Sequence, residues 1–337
     1  MKKIQKVLNR LKVRISESSF YSTRGAYGEA LVELGKENQN VVVLDAEVAN
    51  STFENEFQKR FPDRFFEMFI AEENMMSVAL GLSKIGYIPF LSTFASFLTQ
   101  TFDQVRMAQY SQVSKSGSGS LNIVGSHSGV SIGADGPSQM GLEDIAMFRS
   151  ILNSVVFYPA DAVSAKKLTK LMAANKGIFY LRLTRNKTPI IYSENERFKM
   201  GGSKIFKLKT KNEKLKILII AAGITVHEAL KAQKELIEEG IDALVLDCYS
   251  VKPLDEKTII KLTEEYKNII VVEDHYPYGG IGEAISSLLV NNLQQRITNF
   301  VHLCVRKIPC SGLTEELLRY EEIDSEAIIK SVRKILL

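Results

Sequence analysis

Cysteine and histidine are scarce in this chain of 337 residues, with three of the first (Cys248, Cys304, Cys310) and four of the second (His127, His227, His275, His302). No two cysteines have Cys-x-x-Cys spacing and the histidines lie far apart, so no zinc motif can be written. An odd number of thiols without paired spacing fits buried or idle groups in a reducing compartment. Long apolar runs are missing too. No stretch approaches the length of a membrane span, and Arg10, Lys12 and Arg14 interrupt the basic start before a signal-peptide core can form. Charge of one sign barely dominates, since 43 Lys and Arg face 39 Asp and Glu, a formal excess of +4. That excess forces neither nucleic acid nor a membrane surface as partner, though a few cations can still converge on a small anion. The expectation is a cytoplasmic protein. Also absent are Gly-x-x-x-x-Gly-Lys-Ser/Thr and a Gly-x-Gly-x-x-Gly after a first strand. The chain has no evident diphosphate cradle of its own.

What is present is a globular composition, 45% hydrophobic and 24% charged, at a length suited to two domains. Short Val- and Ile-rich runs alternate with helical patterns, which is the signature of parallel α/β units. Strands are expected at 41–45, 87–94, 121–125, 154–158 and 178–184, with helices at 72–84, 97–112 and 160–175. The pattern lapses into polar and basic residues around Gly201-Gly202, read as a linker over 193–214. It restarts with strands at 216–221, 243–247, 268–272 and 300–305 and helices at 225–239, 255–266, from 282, and at the end. The expected organisation is an extension (1–20), a doubly wound domain (21–192), the linker, and a second α/β domain (215–337). Ser114 to Ser120 (SKSGSGS) is flexible by composition.

In doubly wound sheets, ligands bind beyond the carboxyl ends of the strands, and four features sit there. Ile70-Ala71-Glu72-Glu73-Asn74 is read as an apolar strand end meeting two acids that open a helix. The acids suit the helix dipole, or one carboxylate points into a crevice as acid or base. Thr93-Phe94-Ala95-Ser96-Phe97 offers either core aromatics or a slot for a planar ring. The segment from Gly125 to Gln139 (GSHSGVSIGADGPSQ) crowds glycines around one His, one Asp and one Gln. Glycine after a strand permits tight turns and close approach of a ligand. Finally Arg24, Arg182 and Arg185 lie near strand ends, where a planar guanidinium suits phosphate.

Taken in order, these motifs closely resemble transketolase. The resemblance includes Ser22 to Gly28 (STRGAYG), Asp45-Ala46 with Asn50-Ser51-Thr52, Ile70-Ala71-Glu72, Phe102 to Arg106 (FDQVR) and the glycine-rich segment. It continues through Tyr158 to Asp161 (YPAD), Leu181 to Arg185 (LRLTR), Lys252 to Asp255 (KPLD), Glu273 to Tyr276 (EDHY) and Gly279 to Glu283 (GGIGE). It covers the chain from about residue 20 but only two of the family's three domains, the pyrimidine-binding and C-terminal ones, because the Gly-Asp-Gly motif that holds metal and diphosphate is missing. The resemblance therefore implies the C-terminal-section subunit of a two-chain transketolase.

It also implies roles. Glu72 would hydrogen-bond the pyrimidine of thiamine diphosphate and favour the imino tautomer, whose nitrogen takes the proton from the thiazolium carbon. Phe94 and Phe97 would stack on that ring and Gln139 would touch the cofactor. His127, Arg24, Ser51 and Arg185 would hold a sugar phosphate, with His127 also counted as catalytic, and Asp135 would bond a sugar hydroxyl. Glu73 receives no role. The implied reaction moves a two-carbon ketol unit from a ketose phosphate, such as xylulose 5-phosphate, to an aldose phosphate, such as ribose 5-phosphate. Mg²⁺ or Ca²⁺ and the diphosphate would sit mainly on an N-terminal-section partner in an α2β2 assembly. Competing readings are the β subunit of a 2-oxo acid dehydrogenase decarboxylase component, a 1-deoxyxylulose-5-phosphate synthase, and a non-catalytic scaffold that keeps the fold.

Overall fold

The Val41–Asp45 run (VVVLD) is buried at every position, as expected of a central parallel strand covered on both faces. A computed structural model of the chain describes residues 20–111, 119–209, 215–292 and 297–336. Its first half contributes β1 (Phe20–Ser22), β2 (Val41–Asp45), β3 (Phe65–Glu67), β4 (Ile88–Phe94), β5 (Ser120–Ser126), β6 (Ser154–Phe157), β7 (Gly177–Arg182) and β8 (Lys187–Pro189). The second half contributes β9 (Lys204–Lys207), β10 (Lys216–Ala221), β11 (Asp242–Asp247), β12 (Ser250–Lys252), β13 (Asn268–Val272) and β14 (Asn299–Leu303). They form a seven-stranded sheet in the order β12-β6-β7-β5-β4-β2-β3, a five-stranded sheet in the order β14-β13-β10-β11-β9, and the small pair β1-β8. Only β12 in the first large sheet and β9 in the second run antiparallel to their neighbours. The fold is thus α/β with mostly parallel sheets.

From β2 the chain steps to β3 on one side and returns to β4 on the other. That reversal opens a crevice at the carboxyl ends of β2 and β4. Alternate residues of β2 face opposite layers: Val42 and Leu44 join one core cluster, Val41 and Val43 another. The first of these clusters also contains Leu218, Ile220, Leu244, Leu246, Ile269 and Val271 of the second sheet. Val130, Ile132, Met140 and Leu142 in turn pack with Ile217, Ile219 and Val272. The two α/β units therefore share apolar cores.

Several helix starts follow from capping chemistry. Ser22 Oγ accepts from Gly25 N at 3.0 Å to open the helix Thr23–Glu37, and Asp161 Oδ1 accepts from Ser164 N at 2.8 Å to open Ala162–Ala173. Four expectations need amendment. The helix expected over 97–112 is a 3₁₀ turn, Phe97–Thr101, followed by the α-helix Phe102–Tyr110. There Thr99 and Thr101 spend their hydroxyls on the carbonyls of Ser96 and Leu98 at 2.8 Å, which favours the tighter turn. Ile70 does not end a strand, because β3 stops at Glu67 and Phe69 turns with φ 55°, leaving Ile70 80% exposed. Residues 204–207, inside the stretch read as a linker, form β9 against β11. The single terminal helix is two, Thr314–Tyr320 and Ser325–Ile335, the second capped by Asp324. The extension 1–19 and residues 114–118 of the Ser-Gly stretch lie outside the described residues. No helix among the described residues is long and apolar enough to cross a membrane.

Candidate functional site

The carboxyl edge of the first sheet gathers most of the expected site. Arg24 stands in the first turn of the helix after β1. Its Nε and Nη2 donate to the carbonyl oxygen of Arg185 at 3.2 and 2.8 Å, and its Nη1 donates to the carbonyl oxygen of Ser51, in the short helix that follows β2. Arg185, beyond β7, donates from Nη1 to Asp135 Oδ1 at 2.9 Å and to the Ile132 carbonyl at 2.5 Å. The Arg185–Asp135 pair is over one-third exposed on both sides, so its ion-pair character is strongly screened. His127 follows β5 with φ 55°, and its Nδ1 lies 2.8 Å from Ser126 Oγ.

Aromatic rings adjoin this cationic cluster. Phe94, at the end of β4, stacks on His127 with ring centroids 4.0 Å apart and on Phe97 at 5.4 Å, nearly parallel at 10°. Burial pushes the His127 imidazole down to about 3, and the charges of Arg24 and Arg185 push the same way. Arg24 is lowered to about 10 by burial and by Arg185, and at neutral pH it remains a cation.

Glu72 opens the helix Glu72–Lys84 and is 4% exposed. Its carboxylate makes no hydrogen bond or ion pair among the described residues, which suits a group kept for a ligand's ring nitrogen. Gln139 ends the 3₁₀ turn Pro137–Gln139 and is half-buried. No described hydrogen bond or ring contact ties Glu72 or Gln139 to the Arg24–Arg185–His127 cluster. Glu73, beside Glu72, is exposed.

Two expectations change character. Arg182 does not face this edge. It is wholly buried and bound to Asp144 and Asp274, with Nε–Oδ2 at 2.7 Å and Nη1–Oδ1 at 2.8 Å. The glycines after β5 serve packing within the chain. A Cβ at Gly129 (φ 67°) would lie 1.8 Å from Asp274 Oδ2, and one at Gly133 (φ 71°) would lie 2.8 Å from the Gly312 carbonyl. They let this segment lie directly on loops of the second unit. Sequence reasoning passed over a buried carboxyl pair, Asp45 and Glu54, just behind Ser51. The only sequence signal was an acid ending an otherwise apolar strand.

Two mostly parallel α/β units, the first carrying cations, an imidazole and stacked rings at its switch-point edge, define a doubly wound α/β protein. Comparison with known proteins gives the family. Residues 20–190 match "Transketolase, pyrimidine binding domain" and residues 207–328 match "Transketolase, C-terminal domain". The chain belongs to the transketolase family and corresponds to a C-terminal section of it. It is 46% identical to human transketolase over 317 residues, which is 94% of this chain and 49% of that protein. Rat transketolase is likewise 46% identical, over 93% of this chain and 48% of its own length. The chain thus spans about half the length of these relatives. A solved structure described as a split gene transketolase, inactive beta4 tetramer, superposes with TM-score 0.80 at 36% identity, covering 93% of this chain and 97% of that one. Transketolase from Leishmania mexicana shares the fold, with TM-score 0.75 at 19% identity over 95% of this chain and 46% of that one.

Proposed function

We propose that this chain is the pyrimidine-side subunit of a split transketolase, completed by a partner that carries the diphosphate-binding domain. The observation that carries the reading is the convergence of Arg24, Arg185 and His127 beside stacked Phe94 and Phe97, in a family member that spans half of its relatives' length. Glu72, Phe94, Phe97 and Gln139 would hold the aminopyrimidine end of thiamine diphosphate. An unpaired, nearly buried carboxyl and a pair of stacked rings fit a flat ring with basic nitrogens. When bound, the coenzyme supplies the nucleophilic carbon and the electron sink for ketol transfer.

This chain's own residues bind and orient. Glu72 holds a proton at the pyrimidine nitrogen. Arg24 and Arg185 receive the phosphate of a ketose or aldose phosphate such as xylulose 5-phosphate or ribose 5-phosphate, with Ser51 beside them. Asp135 accepts a hydrogen bond from a sugar hydroxyl. His127 works as a neutral imidazole. With the Ser126 hydroxyl donating to Nδ1, its Nε2–H is left to donate to a substrate oxygen. Mg²⁺ or Ca²⁺ and the diphosphate fall to the partner, in an α2β2 assembly in the cytoplasm.

Reconstitution tests this. The chain alone should lack ketol transfer, and addition of the partner should restore it. Glu72→Ala should abolish transfer and leave assembly intact by gel filtration. High activity of the lone chain would refute the split site. Xylulose 5-phosphate offered against pyruvate separates ketol transfer from 2-oxo acid decarboxylation.

A further inference from the structure

Asp45 and Glu54 are both 0% exposed, and they bracket the segment that presents Ser51 to Arg24. On the entry side Asp45 Oδ2 accepts from Val48 N at 2.8 Å and Ala49 N at 2.9 Å, which fixes the start of the helix Ala49–Thr52. On the exit side Glu54 Oε2 accepts from Thr52 Oγ1 at 3.3 Å. Glu54 Oε1 accepts from Tyr27 OH at 2.9 Å and Ser92 Oγ at 2.5 Å. The segment is thus clamped at both ends by one pair of carboxyls.

The two carboxyls also act on each other at short range, with no donor placed between them. Two carboxylates have no proton to share, and like charges in contact cannot both ionise cheaply in a buried site. Asp45 Oδ1, moreover, is buried without a donor, which is costly for an ionised oxygen. One proton on Glu54 resolves both difficulties, since it supplies the missing donor and cancels one charge. We infer that Asp45 and Glu54 share a single proton at neutral pH, and that this bridged pair positions the Ser51 segment against Arg24.

The groups facing the pair add no positive charge. They are Tyr27 from the helix Thr23–Glu37, Glu67 from β3 and Ser92 from β4. Burial pushes Asp45 up to about 6 even against its hydrogen bonds, and burial with the charge of Asp45 pushes Glu54 well above the usual carboxylate range. A raised carboxyl supports the fold fully below its unperturbed value. That support is lost as pH climbs from near 4.5 through the folded value.

The test uses the full chain and needs no substrate, so its failure is separate from any failure of the proposed ketol transfer. Infrared difference spectra at neutral pH should contain a protonated-carboxyl band that disappears in Glu54→Gln. As pH rises above the ordinary glutamate range, thermal stability should decline more steeply in wild type than in Glu54→Gln. Glu54→Ala, which takes one acceptor from each of the Tyr27, Ser92 and Thr52 hydroxyls, should speed amide exchange across residues 48–52 by about tenfold, and Glu54→Gln should restore protection. A wild-type spectrum without that band, or parallel pH profiles for wild type and Glu54→Gln, would overturn the shared proton. Equal exchange in Glu54→Ala and wild type would overturn the positioning role.

Discussion

Two nitrogens of Arg24 grip a single acceptor, the carbonyl oxygen of Arg185, with Nε at 3.2 Å and Nη2 at 2.8 Å. A third N–H, on Nη1, goes to the Ser51 carbonyl. A guanidinium has five N–H donors, so one remains on each terminal nitrogen, in the fork geometry that suits phosphate. Lysine at this position would keep the charge but could neither span both carbonyls nor present a fork. In the reconstituted enzyme, Arg24→Lys is expected to raise KM for xylulose 5-phosphate by about 10- to 100-fold with a smaller change in kcat. Steady-state kinetics check this, and an unchanged KM would remove Arg24 from the proposed phosphate site.

His127 should remain neutral where an ordinary histidine titrates. Its burial and the two nearby arginines hold it down to about 3. In the unfolded chain the ring takes a proton near 6.5, whereas in the folded chain it resists until far lower. Its contribution to stability is therefore complete above about 6.5 and is lost as pH falls toward about 3. NMR of the His127 ring should show no titration step between about pH 5 and pH 8. A midpoint near the ordinary value would contradict the buried, cation-flanked geometry.

The sheet pattern was legible because parallel strands covered on both faces read as nearly continuous apolar runs, and β2, β10 and β13 span the ranges expected of them. The short strands β3, β8, β9 and β12 carry no such run, and tertiary pairing makes them. The edge residues were legible through their order along the chain, which no single motif supplies. What could not be read was which arginine faces outward. Arg182 and Arg185 are three residues apart in one motif, yet only contacts 38 and 92 residues distant, to Asp144 and Asp274, bury the first. Glu54 was equally opaque, since its partners come from two helices and a strand.

Arg182 therefore yields a prediction about stability, not binding. Beside its two carboxylates it donates to the carbonyl oxygens of Gly141 and Asp274, and Tyr158 and Tyr180 donate to Asp274 and Asp144. Removing the cation strands two buried acids. Arg182→Ala should cost about 3–5 kcal/mol in urea unfolding. Replacing Arg182, Asp144 and Asp274 together with apolar residues should cost much less, because no charge is then left unpaired. A triple variant weaker than the single one would mean that the network contributes more than mutual neutralisation.

The second unit carries the opposite pH signature. His302 Nε2 lies 2.6 Å from Glu273 Oε1, and the same carboxylate accepts from Ile281 N at 2.6 Å and Gly282 N at 2.8 Å, at the start of the helix Ile281–Asn291. Burial disfavours the charged ring, but hydrogen bonds to Cys304 and Glu273, with the charge of Glu273, outweigh it and raise His302 to about 9. Burial of Glu273 is likewise outweighed by His302 and by the charges of His275 and His302, which leaves its carboxyl below the usual range. The signs then differ. Stability from His302 is complete below about 6.5 and is lost as pH rises through about 9, whereas that from Glu273 is present above about 4.5 and is lost on acidification. Wild type should therefore exceed His302→Gln in thermal midpoint most clearly near pH 6, with the gap closing by about pH 10. Gly282→Ala should mimic the loss at every pH, because its Cβ would sit 2.2 Å from His302 Nε2. A gap between wild type and His302→Gln that stays constant with pH would show that the ring acts there as a neutral hydrogen-bonding group.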